Sequence, residues 1–507
     1  MPETPLVLSS KPGVQRDGTR ITGDYCTDSE WMRFNNLGKP RKMGGYAKVS
    51  QLAAGPVYGF EVFSQGAVGY VFSGSSNGVE VQQVTTMGAY SSGPANRTPA
   101  GLGANPNYVW SMDSMYDSAG SPAQIVLAHP GQNLNDIDSN ITTSTYYGLL
   151  ATTSNLVDCG APQSSGGVVV FHPYAFVYGS DGQVAWSDAG LPATWTTSVN
   201  VARICQTKIV YGAPTRGGAG QAPAGLFWSL DAVVRCTFTG GSTTFNFDTV
   251  TAESSIMSSR CVVEMDGVFY WIGVGKFFRY NGVVQELPNF LNINDFFDNI
   301  NLNYRQKVWA TKITRWGEVW WFYVRGSEAT ECNHAIIYNT RLQTWYDTPI
   351  PESGRSDGFY SQVIPNPIWC GVEPDALGKY AFWLQERQGS YDKIDGGVTS
   401  AIRSFFTTQD LNYKESGRNN NMRITRVELD LNQTGDMTVS RIGYAYPRDN
   451  AVTSSADFSP NETKVDGIRG QARYLYMNFE SNVAGGYYEM GDTTLWIDRG
   501  DERPVGG

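Results

Sequence analysis

The sequence predicts an all-β protein, and its largest part is expected to be a β-propeller of about seven blades. The first observation is compositional: 56 of the 507 residues are glycine, 28 tyrosine, 23 phenylalanine and 14 tryptophan. Such a composition favours strands and tight turns over helices. The second is a short strand pattern, punctuated by turn residues, that recurs along the chain. The third is that strands in these units are apolar on both faces, so a solvated sheet does not explain them.

The clearest unit is VVEMDGVFYWIGVGKFFRYNGVVQEL, residues Val262–Leu287. An Asp-Gly pair, a glycine-containing bend and an Asn-Gly pair divide it, and such pairs favour tight hairpin turns because they tolerate positive φ. We therefore predict four strands: Val262–Met265, Val268–Gly273, Lys276–Tyr280 and Val283–Leu287.

The second predicted strand shows why this unit belongs to a propeller. Side chains alternate along a strand, so Val268, Tyr270 and Ile272 face one way while Phe269 and Trp271 face the other. Both faces are apolar, and a four-stranded meander covered on both sides is one blade lying between two others.

Six more units repeat the pattern at an irregular spacing of roughly 30 to 50 residues, which lies in the range for propeller blades. They are Tyr58–Val84, Asn107–Asp138, Val168–Thr196, Arg203–Val250, Val308–Ile350 and Phe359–Asp395. A set of stacked β-sandwiches is the alternative that the pattern leaves open.

The pattern divides the chain into three parts. Residues 1–50 are predicted to be an N-terminal arm, residues 51–397 the propeller with a short helical insertion near 289–307, and residues 398–507 a β-sandwich and tail. In the last part Ile424 and Val427 interleave with Arg426 and Glu428, which indicates a half-exposed sheet.

Charge and cysteine usage narrow the function classes. The net charge is −10 and no basic stripe is present, which argues against a protein that grips nucleic acid by neutralising phosphates. Seven scattered cysteines without a CxxC pair indicate free thiols in a reducing compartment. The N-terminus shows no secretion signal, and we expect the chain to be made in the cytoplasm.

Motifs that carry chemistry are weak. The three histidines have no ligand spacing, no phosphate-binding glycine loop or GxSxG is present, and no paired-carboxylate pattern stands out. Residues Asn133–Asn140 are interpreted as an Asx-rich surface loop rather than a calcium site. Residues Trp186–Trp195 are similar to the Asp-box turn of sialidase-type propellers, a structural feature. We therefore predict no catalytic, cofactor-binding or metal-binding residues, no cofactor, and no enzyme.

The N-terminal segment carries a family resemblance. Residues Pro12–Tyr46 lead into a line that matches Met32-Arg33-Phe34, Gly38, Pro40, Lys42, Gly44, Gly45 and Tyr46. This line resembles the N-termini of tail nozzle proteins (tail tubular protein B) and packaged-DNA stabilisation proteins of short-tailed bacteriophages, with Trp31-Met32 in place of the usual Asn. The stretches Ser254–Asn289 and His334–Thr348 are similar to the same group.

The resemblance implies a structural virion protein of the phage tail, made in the host cytoplasm. It implies a homohexameric ring below the portal and adaptor proteins of the head–tail connector, with tail fibres as further contacts. Packaged double-stranded DNA would be retained there and conducted through the lumen during ejection without sequence-specific binding. An acidic lumen would repel the duplex.

A second reading is a glycan-binding or glycan-cleaving propeller that acts as a receptor-binding tail component. Such a protein should place exposed Trp or Tyr over a concave pocket with converging Asp, Asn and Arg side chains. Most aromatics of this sequence are expected inside strand cores. A third reading, an intracellular propeller scaffold, lacks a WD or kelch signature.

Overall fold

The computed structural model describes residues 3–8, 10–20, 24–85, 90, 93–119, 122–215, 222–241, 243–360, 364–415, 418–468 and 470–500. Strands dominate these residues. The N-terminal part contains β1 (Thr4–Leu8), β2 (Lys11–Val14), β3 (Tyr25–Cys26), β4 (Asp28–Glu30), β5 (Met32–Phe34), β6 (Pro40–Lys42) and β7 (Gly45–Ala53).

Six four-stranded antiparallel sheets follow in chain order, each a meander of consecutive strands. Blade 1 comprises β8 (Val57–Gln65), β9 (Val68–Ser75), β10 (Gly78–Val84) and β11 (Ala95–Asn96). Blade 2 comprises β12 (Tyr108–Asp117), β13 (Ala123–Gln132), β14 (Tyr146–Leu149) and β15 (Val157–Asp158). Blade 3 comprises β16 (Gly167–Phe171), β17 (Tyr174–Tyr178), β18 (Gln183–Trp186) and β19 (Val201–Arg203), with a 3₁₀ turn at Ser180–Gly182.

The next three meanders complete the run of blades formed by consecutive strands. Blade 4 comprises β20 (Ile209–Pro214), β21 (Ala224–Ser229), β22 (Val233–Phe238) and β23 (Phe245–Thr251). Blade 5 comprises β24 (Val263–Met265), β25 (Val268–Ile272), β26 (Phe277–Tyr280) and β27 (Val284–Glu286). Blade 6 comprises β28 (Trp309–Ile313), β29 (Glu318–Tyr323), β30 (His334–Asn339) and β31 (Thr344–Pro349).

Blade 7 is completed by the N-terminal part of the chain. Its strands are β32 (Arg355–Phe359), β33 (Ile368–Pro374) and β34 (Tyr380–Arg387), followed by β7, β35 (Asp392–Asp395) and β36 (Val398–Ala401). Strand β7 pairs antiparallel with β34, with Leu384 opposite Ala47, and parallel with β35. Because β32 contacts β8 and β8 contacts β12, the ring closes, and the predicted propeller of about seven blades is confirmed.

The burial of blade 5 confirms that both faces of its strands are covered. Trp271 and Ile272, on opposite faces of β25, are both fully buried, and Phe269 and Tyr270 are buried as well. The outermost strand β27 is the exception, since two of its three residues are exposed. Neighbouring blades cover the inner strands of a propeller, and solvent reaches only the rim.

The interval 289–307 contains the helix α1 (Ile293–Asn299) and a 3₁₀ segment, Leu302–Lys307. The carboxylate of Asp17 accepts hydrogen bonds from the backbone N–H of Asn294 and Asp295, at 2.9 and 2.8 Å, and so caps α1. Asp295 in turn pairs with Arg325 at 2.7 Å. These contacts fix the insertion between the N-terminal segment and blade 6.

The C-terminal strands form a β-sandwich in which N-terminal strands take part. They are β37 (Ser404–Thr407), β38 (Leu411–Glu415), β39 (Arg418–Asn420), β40 (Met422–Glu428), β41 (Leu431–Thr434), β42 (Met437–Tyr444), β43 (Val452–Phe458), β44 (Lys464–Val465), β45 (Gln471–Ala472), β46 (Tyr474–Ser481), β47 (Tyr487–Met490) and β48 (Thr493–Arg499). Strand β1 pairs with β48, β4 with β37, and β6 with β47. The segment predicted to be an N-terminal arm therefore contributes strands both to blade 7 and to the sheets of the C-terminal sandwich.

One sheet of the sandwich contains β1, β48, β40 and β44, and another contains β46 with β37, β38 and β42. Ile424 and Leu495 of the first sheet share a core with Val439 and Phe479 of the second. Val427 lies three residues after Ile424, so simple alternation would place the two side chains on opposite faces. A β-bulge between Ile424 and Arg426 instead places both on the core face.

Two further observations concern the whole described chain. Each of the seven cysteines is a free thiol. The described residues include no helix long and apolar enough to cross a membrane.

Candidate functional site in the central channel

The innermost strands of the blades enclose a central cavity of about 1030 Å³. Residues from the inner strands or their flanks in all seven blades line it, since each blade presents its first strand to the axis. Cavities of this size are typical of ligand sites in proteins. We call this cavity the central channel.

Arg260 closes the end of the channel at which the inner strands begin. Its Nη1 donates to Asp357 Oδ2 at 2.8 Å, and its guanidinium lies over the ring of Tyr58 at 5.4 Å. Tyr58 also packs with Val109 and Leu134, and all three are at least nine-tenths buried. Side chains from several blades therefore meet across the axis and block this end.

The opposite end of the channel reaches solvent. Phe63, Thr314 and Tyr360, which lie at or just beyond the ends of inner strands, are half-buried, and Pro214 and Asp266 are exposed. The channel is thus a blind pocket with one mouth.

Glu61 of β8 and Asp113 of β12 are the carboxyl groups in the middle of the channel. The two strands touch closely, because a Cβ added to Gly59 would lie 2.6 Å from the carbonyl oxygen of Trp110. Asp113 accepts hydrogen bonds from the backbone N–H of Val170 at 2.8 Å and of Ser114 at 2.7 Å. Among the described residues, none hydrogen-bonds to or forms an ion pair with the Glu61 carboxyl.

Burial raises the pKa of both carboxyl groups. The pKa of Asp113 is raised to about 6 because burial disfavours its charged form, although two backbone N–H groups oppose the shift. The pKa of Glu61 is raised well above its ordinary value, by burial first and then by the negative charges of Asp113 and Asp357. A carboxyl group with a pKa of about 6, as for Asp113, is suited to general acid–base chemistry.

Two further carboxylates of the channel have cationic partners. Asp357 pairs with Arg260 at the closed end, at 2.8 Å. Near the mouth, Glu264 Oε2 lies 3.2 Å from Lys312 Nζ, and both side chains are less than one-fifth exposed. The charges of Asp357 and Glu264 are therefore compensated, whereas Glu61 and Asp113 face the cavity without a cationic partner.

Tyrosines complete the wall beside these carboxyl groups. Tyr211 of β20 is half-buried, and burial together with the charges of Glu61 and Asp113 raises the pKa of its hydroxyl. Tyr178 is buried, and burial raises its pKa to about 12. Asn133 also lines the channel; its side chain is 3% exposed and its Oδ1 has no hydrogen-bond partner within the described part of the chain.

The sequence features that were considered as possible sites either lie outside the central channel or have a structural role. His129 is buried between the hydroxyls of Thr143 and Thr145, at 3.0 and 2.9 Å, and burial lowers its pKa to about 4. In the Asp-box-like turn, Asp188 accepts hydrogen bonds from Asn200 and Thr196 and so ties the turn together. No group of His, Cys, Asp and Glu able to hold a metal occurs among the residues that the structure describes.

The sequence reading missed Glu61, Asp113, Tyr211 and Asn133 as site residues. A signal for two of them exists: Glu61 and Asp113 are acidic residues in the interior of the first strands of their units, where apolar residues prevail. An acid in the strand nearest the propeller axis is exposed to the channel rather than to a neighbouring blade. Asn133 was weighed only as part of a surface loop, because its burial depends on contacts distant in sequence.

The residues of the phage-like motif build the joint between the propeller and the sandwich. Arg33 is 1% exposed, and its guanidinium lies 3.0 Å from Glu318 of blade 6 and 2.6 Å from Glu386 of blade 7. Tyr346 and Trp320 both donate hydrogen bonds to Glu318, at 2.6 and 2.8 Å. This cluster, Arg33 with Glu318 and Glu386, is called the junction cluster below.

The glycines and aromatics of the motif complete this joint. A Cβ on Gly45 would lie 2.3 Å from the backbone oxygen of Asp392, so only glycine fits where β7 enters blade 7. Tyr46 packs edge-on against Trp383 at 5.2 Å and Phe34 against Tyr346 at 5.5 Å. The matched residues are therefore core residues of the fold.

Comparisons with known proteins find the fold and no family. No family model and no curated protein matches the chain. Among solved structures, an ancestral GH74 enzyme is similar to this chain, at 12% identity and a TM-score of 0.40. The match covers 72% of this chain and 52% of the enzyme, so the chain spans about half the length of that enzyme. BamB from Moraxella catarrhalis is similar at 10% identity and a TM-score of 0.34, with 76% of this chain and 99% of BamB covered.

A third similar structure is the exo-β-1,3-galactanase of Phanerochaete chrysosporium, at 8% identity and a TM-score of 0.29, covering 90% of this chain and 100% of the galactanase. Two of the three similar proteins are thus described as enzymes. This finding contradicts the prediction that the chain is not an enzyme, and that prediction is withdrawn. The likeness concerns the fold alone, and no substrate or reaction follows from it.

Proposed function

We propose that the chain is a glycan-binding or glycan-cleaving propeller whose ligand enters the central channel from its open mouth. One observation carries the proposal: tyrosines line a concave pocket into which Asp113, Asn133 and Arg260 also converge. Sugar rings present apolar faces that stack on aromatic side chains and hydroxyls that pair with amides and carboxylates. The channel supplies both kinds of contact.

The channel also holds groups suited to cleavage. Hydrolysis of a glycosidic bond uses one carboxylic acid that protonates the departing oxygen and one carboxylate that activates water or attacks the sugar carbon. Burial raises the pKa of both Glu61 and Asp113, but negative charges add to the shift at Glu61, whereas two backbone N–H groups oppose it at Asp113. Carboxyl groups in such different environments can divide the acid and base roles.

Binding to an array of defined glycans tests this proposal. The wild-type chain should bind a subset of glycans, and Tyr211→Ala should weaken that binding by about tenfold or more, as expected when one stacking contact is removed. Tyr446→Ala is the matched control, because Tyr446 lies in the sandwich with 47% exposure. No retention on any glycan, or equal loss in both variants, would contradict the proposal.

A second candidate is a tail nozzle of a short-tailed bacteriophage, one copy of a homohexameric ring below the portal and adaptor. The observation that favours it is the place of the motif: the residues of the phage resemblance form the joint that locks blades 6 and 7 to the sandwich. Two domains joined by buried ion pairs would suit a load-bearing ring. The two candidates are compatible, since a tail component can also read a glycan on the cell surface.

Electron microscopy tests the second candidate. The purified chain would be imaged alone and with its own portal–adaptor complex. The candidate predicts a six-fold ring that extends the adaptor channel, formed either alone or only on the adaptor. A monomer that ignores the complex would count against it without bearing on glycan binding.

A further inference from the structure

We propose that the central channel selects glycans that carry a protonated amine, such as oligomers of glucosamine, and rejects acidic glycans. The inference rests on the proposed function, because it names the ligand class of the same site. Three observations carry it: the charge balance of the channel, the chemistry of its unpartnered groups, and the placement of a tyrosine beside them.

The charge balance of the channel is acidic. Its lining contains the carboxyl groups of Glu61, Asp113, Glu264, Asp266 and Asp357. Its only cations among the described lining residues, Arg260 and Lys312, are already paired with Asp357 and Glu264. A carboxylate-bearing ligand would enter a low-dielectric pocket that is lined with acidic groups and has no free cation among the described lining residues to receive it, and this arrangement disfavours acidic ligands.

The unpartnered groups in the middle of the channel accept hydrogen bonds. The Glu61 carboxyl faces the cavity, and Asp113 keeps spare lone pairs after accepting from two backbone N–H groups. At the closed end, next to Leu134 in the chain, Asn133 adds a buried Oδ1 without a partner in the described chain. Two fully buried donors of the lining, Arg260 Nε and the Ser259 hydroxyl, have no partner in the described chain, and both belong to the segment at the closed end. An ammonium group, with three donors and no acceptor, complements the acceptor-rich middle.

Tyr211 supplies the third element. Its side chain lines the same cavity as Glu61 and Asp113, and their negative charges, after burial, raise the pKa of its hydroxyl. An aromatic ring beside two carboxyl groups attracts a cation through its negative face as well as through the carboxylates. A sugar ring that carries the amine would stack on the same side chain.

The titration of the channel gives the inference a second signature. A bound ammonium favours the ionised form of Glu61, whose proton is retained in the free protein by burial and by the charges of Asp113 and Asp357. The titratable groups whose charges act on Glu61 are Asp113 and Asp357, and Asp357 is paired with Arg260. The Tyr211 hydroxyl is coupled to Glu61 as well. Amine binding should release protons, and the affinity should rise with pH as long as the amine stays protonated.

Isothermal titration with three trisaccharides of equal length tests the inference. The probes are the glucosamine trimer, its N-acetylated form, and trigalacturonate, at a mildly acidic pH where the amine is charged. We expect the glucosamine trimer to bind at least about tenfold more tightly than the N-acetylated trimer, with proton release, and trigalacturonate to show no binding.

Variants assign the effect to the channel. Glu61→Gln and Asp113→Asn should each reduce the preference for the amine by about fivefold or more. Asp248→Asn, which removes an equal charge on the outer strand of blade 4, should leave it unchanged. Equal binding of all three trisaccharides, or a preference unaffected by both channel variants, would overturn the inference while glycan binding stands. Absence of binding by any trisaccharide would overturn the inference as well, and the glycan array then decides separately whether the proposed function falls.

Discussion

The junction cluster holds buried charged groups and the central channel holds half-buried ones, and the two regions differ in how these groups are paired. At the junction, Arg33 contacts two carboxylates, and Glu318 accepts further hydrogen bonds from Tyr346 and Trp320. In the channel, Glu61 faces a cavity with no cationic partner among the described residues. The first arrangement stabilises the fold, and the second costs stability.

This difference indicates where to look for function in a propeller. Buried charge that is fully paired within the chain leaves nothing for a ligand, whereas uncompensated polar groups persist at sites that a ligand completes. The predictions below test that division, from the largest expected effect to the smallest.

Replacement of Arg33 by methionine should give the largest loss. Arg33→Met leaves Glu318 buried with its charge uncompensated, and breaking a buried pair in this way costs about 3–5 kcal/mol. The free energy of unfolding, measured by urea denaturation, checks the value. Arg403→Ala is the control: its pairs with Glu30 and Glu480 are partly exposed, and we expect a loss of at most about 1 kcal/mol. A loss below about 1 kcal/mol for Arg33→Met would contradict the structural role of the junction cluster.

Substitution of Gly45 by alanine should be the next in size. The added methyl group would overlap the backbone of Asp392 and push β7 away from blade 7, at a cost of about 1–3 kcal/mol. Gly103→Ala serves as the control, since nothing lies within 4 Å of its added Cβ. Comparison of the two melting temperatures checks the prediction, and equal shifts would argue against blade closure by this strand.

Glu61→Gln should act in the opposite direction and stabilise the chain near neutral pH, by on the order of 1 kcal/mol. The Glu61 carboxyl ionises in the unfolded chain near its ordinary pKa of 4.5, while the fold retains its proton to higher pH. The stability of the wild type therefore falls as pH rises from that value toward the pKa of Glu61 in the folded chain. The glutamine variant has no carboxyl group at this position and does not lose this stability.

The measurement is the difference in unfolding free energy between wild type and Glu61→Gln as a function of pH. The difference should vanish at a pH well below 4.5, where the carboxyl is protonated in both states. Glu286→Gln, on the exposed outer strand of blade 5, is the control variant. A destabilised Glu61→Gln chain at neutral pH would mean that Glu61 has a partner in the fold.

The sequence predicted the fold well where strand pattern is local. The four strands of blade 5 agree with the structure to within one residue at their ends, because Asp-Gly and Asn-Gly turns and two-faced apolar strands are encoded side by side. The pairing of β7 with blade 7 and of β1 with β48 was not predictable. Strands from opposite ends of the chain pair through register and side-chain fit, which a pattern along one segment does not contain.

The candidate site was less predictable for the same reason. Glu61, Asp113 and Tyr211 lie in three different blades, and only closure of the ring brings them to one cavity. Their raised pKa values arise from burial in that cavity. The motif around Arg33 was found in the sequence, yet its role at the junction depends on Glu318 and Glu386, which lie far along the chain.

A crystal structure of the chain with its tightest-binding glycan tests the central claim most directly. The account predicts the sugar inside the central channel, with polar contacts to Glu61 and Asp113 and a ring against Tyr211. A glycan bound elsewhere on the surface, with the channel unchanged, would contradict the assignment of the uncompensated carboxyl groups to ligand binding.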